Sequence, residues 1–136
     1  LAAMAALYHD APEILTGALP PPIKYYDPEI RDAYKKVEEF SADKLLAMLP
    51  DQLRPAFSPL LREDYDADTK ALVKAADKLS AHIKCLEELK AGNREFQQAA
   101  RQTLEALKSY NLPEVDYFLE HFLPAFGMTL DEMGRE

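Results

Sequence analysis

The sequence predicts an all-α fold, and three observations support this. No segment alternates apolar and polar residues with the period of two that a half-buried strand would show. Alanine, leucine, glutamate and lysine, which are strong helix formers, dominate the chain. Apolar residues recur every three or four positions, most clearly along Leu72, Ala76, Leu79, Ile83 and Leu86. With 136 residues, 48% of them hydrophobic and 29% charged, we expect one globular domain over 1–136.

The boundaries of the helices follow from proline, glycine and capping residues. We expect helices over 1–10, 27 or 28 to 49, 52–62, 68–91, 94–109 and 113–126. Pro28 suits a first helical turn, and Gly92 followed by Asn93 suits a helix end. The segment 16–26 is predicted to be a loop because Pro20, Pro21 and Pro22 cannot lie inside a helix.

Three finer features of these helices can be predicted. The first helix has apolar residues on every side, so we expect it to be buried all round. Pro55 and Pro59 interrupt or bound the helix at 52–62, and Pro124 should kink or end the last one. That last helix carries Phe118, Phe122 and Phe126 on one side, which we expect to face the core, with a dimer interface as the alternative.

Charge and hydropathy exclude several functional classes. The net charge of −8 argues against nucleic acid as the main ligand, because phosphate backbones are held by basic patches. No apolar run approaches the roughly 18 residues of a membrane span. Cys85 is the single cysteine and cannot form an internal disulfide, which fits a cytoplasmic location. A small anionic substrate would need a locally positive site, most simply a metal ion.

The pair His9-Asp10 at the end of the first apolar run is the most informative feature for function. Imidazole and carboxylate groups are costly to bury without partners, and both are ligands of first-row divalent metals. Glu13 follows four residues after His9 and shares its face if the helix persists through Pro12. The alternative interpretation is a hydrogen-bonded pair that caps a helix, with Glu13 on the surface.

Other polar residues of the helices carry weaker signals. Asp77 falls at the border of the core stripe on the helix 68–91, so it is a candidate ligand, although a solvated carboxylate has the same pattern. His82 beside that stripe and His121 among aromatic residues are predicted to be structural. Lys24 and Arg62 could contact a phosphate group.

Taken together, these residues closely resemble the bacterial 5′-deoxynucleotidase family of HD-domain metal-dependent phosphohydrolases. The matching stretches are 7–17, 23–25, 72–77, 84–89 and 116–122. The resemblance implies an all-helical HD-domain bundle that binds one divalent transition metal, which could be cobalt, manganese, zinc, copper or iron. It assigns His9, Asp10 and Asp77 as metal ligands and Glu13 as the catalytic residue that handles a proton.

The resemblance also implies an activity and a partner. The family hydrolyses deoxynucleoside 5′-monophosphates to nucleoside and phosphate, generally as a homodimer. Its substrate loop matches this chain at Leu19 and Pro20, whereas Ala18 and Pro21 replace an aspartate and a threonine. With Lys24, Leu19 and Pro20 are the expected substrate-binding residues. The alternative function is a non-catalytic HD scaffold that senses nucleotides or binds another protein.

The fourth family ligand is a histidine upstream of the apolar run. The chain opens at Leu1 in the middle of a helical pattern, without a capping residue before it. We therefore expect the sequence to lack the N-terminal segment of the HD domain, and the 136 residues alone to be weakly active or inactive.

Overall fold

A computed structural model describes residues 1–24 and 26–134. Tyr25, which belongs to one of the stretches that match the family, lies outside the described residues, as do residues 135 and 136. Every regular element within the described ranges is helical, which confirms the predicted all-α class.

The helices follow one another with short connections. In chain order they are α1 (Ala2–Tyr8), α2 (Glu13–Thr16), α3 (Pro21–Lys24), α4 (Pro28–Met48), α5 (Arg54–Leu61), α6 (Ala67–Lys90), a 3₁₀ turn (Arg94–Phe96), α7 (Gln97–Ser109), α8 (Pro113–His121), α9 (Leu123–Gly127) and α10 (Leu130–Met133). The start of α4 agrees with the sequence: Asp27 caps it by accepting a hydrogen bond from the Glu29 backbone N–H.

The contacts divide the chain into two compact units, Leu1–Val73 and Lys74–Glu136. Helix α6 spans the boundary between them. The single domain expected over 1–136 therefore stays a prediction. Within 1–24 and 26–134, no helix is both long and apolar enough to cross a membrane.

The core of the first unit is built where α5 meets α1 and α4. One buried cluster consists of Ala5, Leu60 and Val73, and another of Ala42, Leu46 and Leu61. The rings of Tyr8 and Phe57 pack against both clusters and meet edge to face, with centroids 5.4 Å apart. Such an aromatic contact contributes about 0.5–1.5 kcal/mol beyond the area that it buries.

The expectation that the first helix is buried all round is wrong. Leu1 and Leu7 are each 71% exposed, and Ala5 is the one residue of α1 that is fully buried. The helix is seven residues long and packs on α5, which covers only one of its faces.

The expectation that 16–26 is entirely a loop is also wrong, because α3 lies within it. Pro21 and Pro22 occupy the first two positions of this helix rather than its interior. There the missing N–H costs nothing, since the first helical N–H groups have no partner within the helix.

The second unit is held together by a cluster of Ala75, Leu107 and Val115, with Leu79 and Leu119 packed against it. The predicted core stripe of α6 is only partly correct. Ala76 is exposed, whereas Val73 and Ala75 are buried. Since Val73 belongs to the first unit's core and Ala75 to the second's, α6 does not bury a single stripe.

The last predicted helix is divided at Phe122. Pro124 lies in the first turn of α9, which agrees with the prediction that this proline kinks or ends the helix. The expected core role of its aromatic residues is wrong for Phe122 and Phe126, which are 52% and 40% exposed. Their rings pack on half-buried Phe118 instead. Val115 is the fully buried residue of α8.

His82 on α6 is buried, in agreement with its predicted structural role. Its Nδ1 lies 2.9 Å from the Thr103 hydroxyl oxygen. That hydroxyl donates to the carbonyl oxygens of Ala99 and Ala100, so its oxygen accepts the hydrogen of Nδ1. The ring is therefore held as a hydrogen-bond donor between two helices of the second unit.

This arrangement predicts a pH dependence of stability. Burial lowers the pKa of His82 below its ordinary value of about 6.5, and a backbone interaction with Ala100 partly offsets this. The unfolded chain then binds a proton more readily than the folded one. The resulting loss of unfolding free energy is absent above about pH 6.5 and grows as the pH falls below it. Urea titrations at about pH 7.5 and 5.5 should show a smaller loss of unfolding free energy on acidification in His82→Asn than in the unaltered protein.

The control for this measurement is His121→Asn, because His121 is exposed at the end of α8. On acidification, this variant should lose as much unfolding free energy as the unaltered protein does. An unchanged loss in His82→Asn would contradict the prediction.

Candidate active site

The pair His9-Asp10 lies in the turn between α1 and α2. Successive backbone hydrogen bonds link Ala11 to Tyr8 (3.0 Å) and Glu13 to Asp10 (2.9 Å) across this turn. Pro12 has helical dihedral angles and precedes the first turn of α2. The chain thus keeps a helical course past the proline, and His9, Asp10 and Glu13 stay close together.

The orientation of the His9 ring is fixed by a hydrogen bond to the backbone of α1. Nδ1 lies 2.7 Å from the carbonyl oxygen of Ala6, which can only accept, so Nδ1 carries the hydrogen. In the neutral ring this leaves the lone pair on Nε2, which lies 3.2 Å from Oδ1 of Asp10. Metal-binding histidines are commonly oriented by such a bond from the other ring nitrogen.

Glu13 begins α2 and is half-buried. Burial raises the pKa of its carboxyl group, the charge of Asp10 adds to the rise, and Lys24 opposes it. The helix ends at Gly17, whose φ of 68° and ψ of 163° are essentially restricted to glycine. The Gly17 carbonyl accepts a hydrogen bond of 2.8 Å from the Tyr34 hydroxyl on α4.

Lys24, at the end of α3, is held by two residues of α4. Its Nζ donates to Oε1 of Glu38 at 2.9 Å and lies 4.8 Å from the centre of the Tyr34 ring. Both side chains of the ion pair are half-buried, with 26% of Lys24 and 29% of Glu38 exposed. Because salt and water screen a partly buried pair less than an exposed one, the attraction holds the ammonium group in place.

These residues line one cleft of about 340 Å³ in the first unit. His9, Asp10, Glu13 and Lys24 all belong to its wall, and the rest comes from Pro12, from α4 and from the end of α5 with the two residues after it. With Arg62, the sequence therefore predicted five residues that the fold brings to one concave site.

Three other predicted site residues are not part of this group. Leu19 and Pro20 are absent from the described lining of the cleft, so their substrate-binding role stays a prediction. Asp77 lies on α6 in the second unit and is exposed. Its role as a metal ligand also stays a prediction.

Several charged residues of the cleft were not predicted for it. They are Lys35, Glu38 and Glu39 on α4 and Glu63 after α5. A signal for the α4 residues exists in the sequence, because Lys35, Glu39 and the buried Ala42 follow the spacing of one helical face. Nothing in the sequence indicated that this face meets the turn at His9.

The donor set can be tested for a metal ion. His9 Nε2 and Asp10 Oδ1 are chemically suitable, and their separation of 3.2 Å fits a cation bonded to both at about 2.0–2.2 Å. In the described ranges, no three His, Cys, Asp or Glu side chains form a group able to hold a metal ion. The described site thus provides a fitting pair of donors.

Comparison with known proteins supports the family that the residues suggest. The family model described as 5′-deoxynucleotidase YfbR-like matches residues 1–126. The 5′-deoxynucleotidase of Yersinia pestis (strain Pestoides F) is 50% identical over 98% of this chain and 68% of its own length. Those of Erwinia tasmaniensis and Vibrio atlanticus are each 47% identical, over 98% and 97% of this chain and 68% and 69% of theirs.

The matched region contains the whole cleft, including the His9-Asp10 pair, Glu13 and Lys24. Identity of this extent over nearly the full chain confirms the family expected from the sequence. The chain belongs to the 5′-deoxynucleotidase YfbR-like family.

Proposed function

We propose that the protein is a metal-dependent phosphomonoesterase that hydrolyses deoxynucleoside 5′-monophosphates to nucleoside and phosphate. The observation that carries the proposal is the convergence of His9, Asp10, Glu13 and Lys24 on one cleft. This combination supplies two metal donors, a group that can transfer a proton and a cation for an anionic substrate. The names of the similar proteins, 5′-deoxynucleotidases, point to the same reaction.

One divalent transition metal is part of this proposal. His9, Asp10 and Asp77 are the residues that would hold it, and the oriented imidazole supports the first of these assignments. When bound, such an ion lowers the pKa of water towards about 7 and stabilises negative charge on a phosphate group.

Glu13 would move the proton that the reaction requires. Hydrolysis forms a bond between phosphorus and a water oxygen, which loses a proton, and breaks the bond to the 5′-oxygen of the nucleoside, which gains one. Glu13 lies at the start of α2, in the same cleft as the donor pair, and its backbone is fixed by bonds to Asp10 and Gly17. A carboxyl group in this position can accept the proton from the water or deliver one to the leaving oxygen.

The binding of the substrate would rest on the positive groups of the cleft. Lys24 is held towards the cleft by Glu38 and Tyr34, which suits an anchor for a phosphate. Leu19 and Pro20, on the segment between α2 and α3, would contact the nucleoside.

The assembly and location of the protein are further parts of the proposal. A homodimer fits the exposed aromatic residues in this part of the chain, which are Tyr117 on α8, Phe122 between α8 and α9, and Phe126 on α9. A cytoplasmic location fits the single, buried Cys85. The net charge of −8 supports a small-molecule substrate rather than nucleic acid.

Phosphate release tests the activity directly. The full-length gene product, loaded with Co²⁺ or Mn²⁺, should release phosphate from deoxynucleoside 5′-monophosphates. Matched ribonucleotides measure sugar selectivity in the same assay. A metal-loaded protein that releases no phosphate from any of them would contradict the proposal and leave the non-catalytic scaffold as the better interpretation.

Glu13→Gln tests proton transfer. It preserves the size of the side chain but removes the acid, so kcat should fall roughly 10²- to 10⁴-fold while the bound metal content stays the same. Glu29→Gln makes the same change at an exposed position in the first turn of α4 and should leave kcat unaltered. Full activity in Glu13→Gln would remove Glu13 from the mechanism.

Asp77→Ala tests the ligand set. Losing one metal donor should weaken affinity, so less metal should remain after dialysis than in the unaltered full-length protein. Asp68→Ala removes a carboxylate from the first turn of the same helix and is the control for changed charge. If metal analysis gives equal contents for the unaltered protein and both variants, Asp77 is not a ligand.

A further inference from the structure

The cleft is rich in carboxylates for a site that must accept an anion. Its lining contains Asp10, Glu13, Glu38, Glu39 and Glu63. The whole chain, including these residues, carries a net charge of −8. A phosphomonoester carries negative charge near neutral pH, so its binding depends on positive groups whose charge is not already neutralised.

Two of the cleft's basic side chains are matched by carboxylates. Lys24 donates to Glu38, and the guanidinium of Arg62 donates to Asp43 on α4. These pairs fix the two cations in place but reduce the positive charge that each presents to a ligand.

Lys35 is different. It lies on α4 three and four residues before Glu38 and Glu39 and lines the same cleft. Across 1–24 and 26–134, its ammonium group has neither an ion-pair partner nor a hydrogen-bond partner. Its charge and its three N–H donors are therefore available to a ligand in the cleft.

We propose that Lys35 binds the phosphate group of the substrate and contributes chiefly to affinity rather than to the chemical step. The inference rests on the proposed function, because it takes the ligand of the cleft to be a nucleoside monophosphate. Lys24, held by Glu38, has a fixed position, whereas Lys35 supplies the unneutralised charge that attracts the anion.

The chain offers a matched control in the next residue. Lys36 is also exposed on α4 but does not belong to the described lining of the cleft. Lys35→Met and Lys36→Met change the net charge equally, so a difference between them reports contact rather than the general field of the protein. Both positions are exposed, and equal thermal midpoints would confirm that both variants fold.

Steady-state kinetics of the full-length, metal-loaded protein is the first measurement. Lys35→Met should raise KM about three- to tenfold with kcat within about twofold, whereas Lys36→Met should leave both unchanged. Lys35→Arg should keep KM close to the unaltered value, since it retains the charge. The difference in KM between Lys35→Met and the unaltered protein should shrink at high salt, because salt screens the exposed ammonium group of Lys35.

Product inhibition locates the contact on the substrate. Inorganic phosphate should inhibit Lys35→Met more weakly than the unaltered protein, by about the same factor as the rise in KM. The uncharged deoxynucleoside should inhibit both proteins equally. Equal KM and equal phosphate inhibition in Lys35→Met and Lys36→Met would overturn the proposal, as would a loss confined to kcat.

Direct titration with inorganic phosphate separates this inference from the proposed function. If the unaltered protein hydrolyses nucleotides and Lys35→Met binds phosphate equally well, the inference fails and the function stands. If the protein releases no phosphate but binds it with an affinity that depends on Lys35 and not on Lys36, the proposed function fails and the phosphate contact stands.

Discussion

The geometry of the candidate site depends on the packing of Tyr8 against Phe57. Tyr8 is the last residue of α1, directly before His9, and its ring contacts both buried clusters of the first unit. The edge-to-face contact fixes the end of α1 on α5. The Nδ1 bond to the Ala6 carbonyl then fixes the imidazole relative to that same helix. The position of the donor pair is therefore set by hydrophobic packing one residue away.

The electrostatics of the cleft rests on α4, which faces the turn between α1 and α2. This helix provides Glu38 and Asp43, each of which holds a basic side chain from another segment. A half-buried ion pair such as Lys24–Glu38 contributes little net stability, because desolvation offsets the attraction. Its effect is to restrict where the ammonium group can lie, which matters more in a binding site than in a core.

The sequence predicted local features of this protein better than distant ones. The longer helices and the shared location of His9 and Glu13 were predictable because they depend on spacing within one segment. The exposure of Leu7 was not, since apolar periodicity does not tell how many neighbours a short helix has. Glu38 was missed for a related reason: it reaches the site only through tertiary packing of α4, and a charged residue on a long helix usually faces solvent.

Tyr34 contacts both ends of the segment that runs from Gly17 to Lys24. Its hydroxyl bonds the Gly17 carbonyl and its ring supports the Lys24 ammonium, so the connection between α2 and α3 is anchored on both sides. Residues 18–20 between these anchors are outside any helix, and Ala18 and Pro20 are exposed. Side chains can therefore be exchanged there at little cost in stability, while the donor pair and the cation keep their places. In evolutionary terms, this short segment is where relatives can change in sequence without rebuilding the site.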